Sequence, residues 1–341
     1  MRRWLLLLIF LIRCSETGLE KDYRDVNGIY LKKIGEYYGF NDARDIAGKD
    51  GYLYVADGEG IVILNAKNPL KPTVVDTLNP MERYTTIRVR GDYLYAISYS
   101  YPRLEVFDIS NPSNPIEIGG CEAWGENFVI RGRYLYMIGG GLRVVNIGNP
   151  LEPTQVGWEG IEGSDITVEG NYAYVLEGSG GWSKLHIIDI SNPSSPQSCL
   201  TYSALKDELL WFYAIESKGS YLMGIAPAYK ADGVELLDIT DPWDIKYLDF
   251  CGLPPEICEN PKTFLVDSLF IYTLGVHSKG SGYGLFLLSF SPDSTELAVS
   301  EIYEEPESSL GVLRSLSVEG SRIYILGSKG LEIIEMRPIE E

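Results

Sequence analysis

The chain has 341 residues, 29 of them basic and 48 acidic, for a formal net charge of −19. A surface of that sign repels phosphate backbones and anionic bilayers, so it argues against a nucleic-acid partner and leaves neutral or cationic ones. The hydrophobic content of 45% suits a filled core, whereas 24 Tyr and 36 Gly are many. With no long window of apolar spacing at 3.6 residues, this favours an all-β chain of short strands and tight turns.

Residues 1–14 read MRRWLLLLIFLIRC. Arg2 and Arg3 precede an apolar run from Leu5 to Ile12, far short of the ~20 residues that a spanning helix needs. The segment therefore reads as an export signal. Cys14 follows directly, with Leu11 three positions ahead, which resembles a bacterial lipoprotein signal; Arg13 departs from the small residue expected there. Cys14 is the lipidation candidate, and lipid there would anchor the chain without a membrane helix. The alternative is cleavage near Ser15 to Gly18 and simple secretion. Residues 15–27 are charged and lack apolar periodicity, so they read as a polar tether.

From residue 28 onward one pattern recurs. Its signature is a turn followed by aromatic residues: Gly51-Tyr52-Leu53-Tyr54, Asp92-Tyr93-Leu94-Tyr95, Arg133-Tyr134-Leu135-Tyr136, Asn171-Tyr172-Ala173-Tyr174, Ser220-Tyr221-Leu222-Met223, Leu269-Phe270-Ile271-Tyr272 and Ser321-Arg322-Ile323-Tyr324. The copies stand 38 to 52 residues apart. Each precedes an apolar strand, such as LEVFDIS from Leu104 or LHIIDIS from Leu185. Most of these strands end in an Asn-Pro or Asp-Pro turn and are followed by a fourth strand. Four antiparallel strands per repeat of this length describe a propeller blade, whose two apolar faces are covered only by stacking on neighbours.

The last repeat ends at Glu341 without a fourth strand, and a spare strand, Ile29 to Tyr37, precedes the first. The two halves fit each other. The expected fold is a seven-bladed β-propeller of four-stranded antiparallel blades over residues 28–341, closed by the N-terminal strand and free of an exposed edge at the last blade.

The segments LEVFDISNPSNP and LHIIDISNPSSP, each preceded by a Gly-x-Tyr-Leu/Ala-Tyr signature, resemble LVIVD repeats. The resemblance spans about residues 28–341. It is strongest in blades two, three and four, and weakens in blade six, where Ser289-Phe290-Ser291-Pro292 replaces the usual ending. It implies an exported bacterial or archaeal propeller with no assigned reaction.

Loop lengths divide the disc. First-to-second turns and third-to-fourth connections are short and alike, whereas second-to-third loops and fourth-to-first linkers vary, and a meander brings those two classes to one face. Binding is expected on that elaborated face. Its ligand-binding candidates are Tyr84, Tyr99, Tyr101, Trp124, Trp158, Trp182, Trp211, Tyr229, His277 and Tyr283, interspersed with acids such as Glu122, Glu126, Asp165 and Glu177. Rigid aromatics and carboxylates could hold a sugar, a peptide or a cationic group, although such side chains also fill gaps between blades.

The remaining chemistry is sparse. His186 falls inside a third strand and reads as core, while His277 lies in a long loop, so the two make no His-based site. Asp57-Gly58-Glu59-Gly60 lacks the ligand alternation of an EF-hand and reads as a turn. The segment SALKDELLWFYA, 203–214, has room for one or two helical turns. Cys251 and Cys258 are the disulfide candidate, which export would permit; Cys121 and Cys199, on outer strands of different blades, are not expected to pair. No cofactor and no metal are expected. The leading expectation is a monomeric, non-enzymatic exported scaffold whose partner is a protein, a glycan or a cell-envelope component, touching a membrane only through the N-terminal lipid. The alternative is a carboxylate-based hydrolase or lyase acting at the central channel.

Overall fold

The computed structural model describes residues 29–99, 103–178, 183–205, 208–209, 212–227, 232–255, 259–266, 270–276, 282–291 and 296–338. Among them are seven four-stranded antiparallel sheets in meander order, together with one two-stranded hairpin. The innermost strands are Asp45–Lys49, Tyr84–Arg90, Asn127–Arg131, Asp165–Glu169, Ala214–Lys218, Glu259–Val266 and Leu313–Glu319 for blades one to seven. Each touches the next, and the seventh touches the first, so the ring is closed. Closure happens as the sequence predicts. Ile29–Tyr38 pairs antiparallel with Gly330–Pro338, setting Ile29 opposite Pro338 and Tyr38 opposite Gly330.

The signature residues explain why a sheet with two apolar faces is stable here. Tyr54, Tyr95, Tyr136, Tyr174, Met223, Tyr272 and Tyr324 are all buried. Each belongs to a different hydrophobic cluster, and each cluster joins two consecutive blades, including the seventh with the first. The core is thus seven wedges between blades, and burial of apolar surface in each couples a blade to its neighbour.

The Asp-Ile-Ser-Asn-Pro ending has a local cause as well. In blade two, Asp108 Oδ1 accepts the Ser110 amide at 2.8 Å and Asn111 Oδ1 accepts the Ser113 amide at 3.2 Å. Blade four repeats this with Asp189 and Ser191 at 2.8 Å and with Asn192 and Ser194 at 3.3 Å. Two side-chain-capped turns in tandem reverse the chain. Between them Ile109 and Ile190 are buried and donate their amides to Asp92 O and Asn171 O, which ties the end of the third strand to the signature turn.

A regularity absent from the sequence reading is a register shift between third and fourth strands, present at the same point of all seven blades. In three blades a glycine follows the shift and the next blade's Pro turn sits on it. A Cβ on Gly35 would lie 1.8 Å from Pro69 O, on Gly119 2.6 Å from Pro150 O, and on Gly157 2.1 Å from Pro193 O. The bulge turns the outer strand, and the missing side chain lets the neighbouring backbone in. Gly35 belongs to the N-terminal strand, so that strand is a full member of the repeat.

One local expectation is corrected. Residues 203–214 do not form a helical turn in their described part; Ala204–Leu205 pairs with Glu208–Leu209 as a short hairpin. Helix nucleation is costly, and a segment this brief with both ends tied to strands does not recover that cost.

Candidate binding site on the loop face

The two faces differ in what they expose. On the turn face Leu151 and Trp243 stand singly on the Pro turns. On the loop face Trp124 and Trp158 come together around blade three. They flank the Gly139-Gly140-Gly141 turn, in which all three residues have positive φ (136°, 59° and 113°). A Cβ on Gly140 would lie 2.0 Å from the Trp124 ring, and one on Gly141 2.6 Å from Trp158 Nε1. Only glycine combines this backbone with room for both indoles. The rings nevertheless remain 47% and 56% exposed.

Arg143 stands between the two indoles. It is the cross-strand partner of Trp158, and its guanidinium lies 5.7 Å from the Trp124 ring centroid. Arg143 Nη1 donates to Trp124 O at 3.0 Å and to Gly139 O at 2.9 Å. An open cleft of ≈ 790 Å³ begins here, lined by Arg103, Gly120, Cys121, Glu122, Ala123, Trp124, Arg143 and Gln155. It lies between blades two and three. Burial pushes the Cys121 thiol up to about 11, so this free cysteine is a protonated wall rather than a nucleophile.

Arg143 occupies a repeat position, the second residue of the third strand's apolar run, which is Val62, Glu105, His186, Glu235, Phe286 and Glu332 in the other blades. In blades two and seven that residue is a carboxylate, and the protein buries it. Glu105 accepts the Tyr84 hydroxyl at 2.5 Å, and Glu332, 0% exposed, accepts the Tyr283 hydroxyl at 2.6 Å and pairs with Lys33 at 3.1 Å. Tyr84 and Tyr283 are therefore core residues and not part of the open face. Burial raises both phenols and the Glu105 carboxyl. His186 is likewise internal, bonded to Thr201 at 2.9 Å and Glu177 at 2.7 Å.

Of the other candidates, Tyr99 is exposed on the second-to-third loop of blade two. Tyr101, Trp182, Trp211, Tyr229, His277, Cys14 and Cys258 lie outside the described residues. Cys251 is buried and disulfide-bonded, while Cys121 and Cys199 are free. Asp57 spends its carboxylate on the amides of Asn41, Asp42 and Gly58, at 2.8 to 3.1 Å, as a turn cap.

The innermost strands carry a polar belt at the loop-face end of the channel. Arg88 Nη1 donates to Asp45 Oδ2 at 2.6 Å and Nη2 to Asn127 Oδ1 at 3.4 Å; Asn127 Nδ2 donates to Asp165 Oδ1 at 2.7 Å. Ser315 Oγ donates to Asp45, the Ile215 amide to Asp165, and Thr167 Oγ1 to Glu216. Desolvation lifts the Asp165 carboxyl to about 6, against the pull of two backbone amides and Arg88. Desolvation and then the Asp165 charge lift Glu216 to about 7. These two acids converge, as a channel-based enzyme would require, but Asp165 is fully engaged in holding blades together and neither acid lines the cleft.

The LVIVD repeat family model matches residues 41–79, 84–123 and 162–204, in blades one, two and four. No curated protein matches the sequence. Among solved structures it is similar to the WD40 β-propeller domain of Doa1 (11% identity, TM-score 0.61), covering 89% of this chain and 96% of that one. It is also similar to YCF48 bound to D1 peptide (10% identity, TM-score 0.56; 92% and 96% covered). A third likeness is to a chain in the S. cerevisiae complex of Dbp5 with Nup159, Gle1, IP6 and ADP (11% identity, TM-score 0.58; 91% and 96% covered). At these identities the likeness is one of fold.

Proposed function

We propose that this chain is a non-enzymatic binding scaffold that docks a protein partner on the loop face of blades two and three. The observation that carries this reading is the pair Trp124 and Trp158, held rigidly on either side of a glycine turn yet left half exposed beside a cleft. Rigid aromatics of this kind dominate interface energetics and lose little entropy on binding. Propellers of the same fold have been solved with a peptide or within protein complexes, which supports a protein partner.

The turn face supplies an internal control, because Trp243 is as exposed as Trp158, at 56% each. Capture experiments with the full chain, from extracts of cells that express it, are expected to lose a specific partner at least tenfold with Trp124→Ala/Trp158→Ala. Trp243→Ala is expected to retain it. Equal losses from both faces would end this reading.

The same proposal has the chain exported by residues 1–14 and held at the cell surface by lipid on Cys14. The expected result with a lipid-precursor label is incorporation into the wild type and none into Cys14→Ala; an unlabelled wild type would leave secretion in its place.

A further inference from the structure

We infer that the cleft between blades two and three is a carboxylate subsite, in which Arg143 receives a carboxylate from a peptide segment of the partner. The inference rests on the docking reading above and adds the chemistry of the ligand.

Three observations carry it. First, Arg143 is committed on one side only. All its hydrogen bonds run from Nη1, to Trp124 O, Gly139 O and Gly140 O. Among the described residues Nε and Nη2 carry no hydrogen bond, and the guanidinium forms no ion pair. Carbonyls thus fix the plane of the group without neutralising it, and leave free the Nε–Nη2 edge. That edge is the fork that carboxylates accept in bidentate fashion.

Second, the carboxylates at the same repeat position in blades two and seven are neutralised. Glu332 is met by Lys33, Tyr283 and Ser308, and Glu105 by Tyr84 and Asn79. Arg103, across the cleft, is paired with Glu117 at 3.1 Å. Among the described residues, Arg143 alone of these charges lacks a counter-ion, in a chain of net charge −19 in which acids are abundant.

Third, the cleft has a backbone wall. Gly120, Cys121 and Glu122 belong to the outermost strand of blade two, Ile116–Glu122, which pairs on its inner side with Arg103–Asp108 and on its outer side with no described strand. Farther along, a Cβ on Gly119 would already meet Leu151 O and Pro150 O, so the turn of blade three packs on the face of this strand there, and residues 120–122 lie beside the cleft. Open strand edges accept extended peptides through main-chain hydrogen bonds. A peptide along this edge brings its carboxylate to Arg143 with Trp124 and Trp158 on either side.

Titration calorimetry of the full chain with three acetylated pentapeptides of one apolar composition tests this. One carries a glutamate and an amidated end, one a free C-terminal carboxylate, and one no charge. At least one carboxylate peptide is expected to bind tenfold or more tighter than the neutral peptide, and which one does so identifies a side-chain or terminal carboxylate. Arg143→Lys keeps the charge but not the fork, and is expected to remove most of that preference, read within each variant as the ratio of carboxylate-peptide to neutral-peptide affinity. Equal binding of all three, no binding, or a preference that survives Arg143→Lys and Arg143→Gln would overturn the inference. Tighter binding of glucuronate than of either peptide would overturn it in favour of an acidic glycan. If partner capture still depends on Trp124 and Trp158 while the carboxylate preference is absent, only this subsite fails; the reverse outcome removes the docking reading alone.

Discussion

Gly35→Val is expected to destabilise the propeller by about 3 kcal/mol, the upper range for forcing extra atoms into a packed site. The Cβ would stand 1.8 Å from Pro69 O and 2.7 Å from Pro69 C, and both atoms are backbone that cannot rotate away. The site is also where the two ends of the chain meet. Ile29–Tyr38 supplies the outermost strand of blade seven, and Pro69 belongs to the turn of blade one, so a shift at Gly35 disturbs both partners of the closing contact. Lys32→Val, on an exposed position of the same strand, is expected to change stability by no more than about 0.5 kcal/mol. Denaturant midpoints of the two variants and the wild type check this. If Gly35→Val costs no more than Lys32→Val, the N-terminal strand does not close the ring as described.

Stability is expected to fall, by roughly 3 kcal/mol, as pH rises from about 5 to about 8, through the channel pair Asp165 and Glu216. The sign follows from proton counting. In the folded protein these carboxyls titrate at about 6 and about 7, whereas in the unfolded chain they titrate near 4. Between those values the folded state holds more protons, so stability decreases with rising pH and the loss is complete above the folded-state values. Below pH 4 the trend reverses. Asp108, Asp189 and Asp238 are held below the usual aspartate range by hydrogen bonds from Ser110, Ser191 and Thr240, so their turns weaken when they take up protons. Melting temperatures of wild type and Glu216→Gln across pH 4 to 8 separate this effect from the general repulsion of an acidic surface. The variant is expected to show a markedly flatter decline between pH 5 and 8. A decline as steep as that of the wild type would remove Glu216 from the explanation.

The seven blades and their closure were legible because each repeat carries its own hydrophobic signature and because the chain has one strand too many at its start and one too few at its end. The bulge common to all fourth strands was not legible. It is a shift of backbone register, marked by a glycine in only three blades. Trp124 and Trp158 could be picked out since both fall where the repeat breaks its pattern. Tyr84 and Tyr283 misled for the same reason, because nothing local shows that a carboxylate elsewhere, Glu105 or Glu332, claims their hydroxyls. Arg143 was hidden by the opposite circumstance. It sits inside a repeated strand and looks like scaffold until the seven copies are set in register and one position is seen to alternate among valine, glutamate, arginine, histidine and phenylalanine. Asp165 was read as a loop acid, yet it begins an innermost strand and joins three blades.

Photo-crosslinking from a single introduced residue tests the docking face most directly. A crosslinking amino acid at Trp158 and, separately, at Trp243 samples two equally exposed indole positions on opposite faces of the disc. The expected result is one discrete crosslinked species from position 158, absent from position 243 and lost from position 158 when Trp124→Ala is added. The same species from both positions, or from 243 alone, would contradict a binding surface on the loop face of blades two and three.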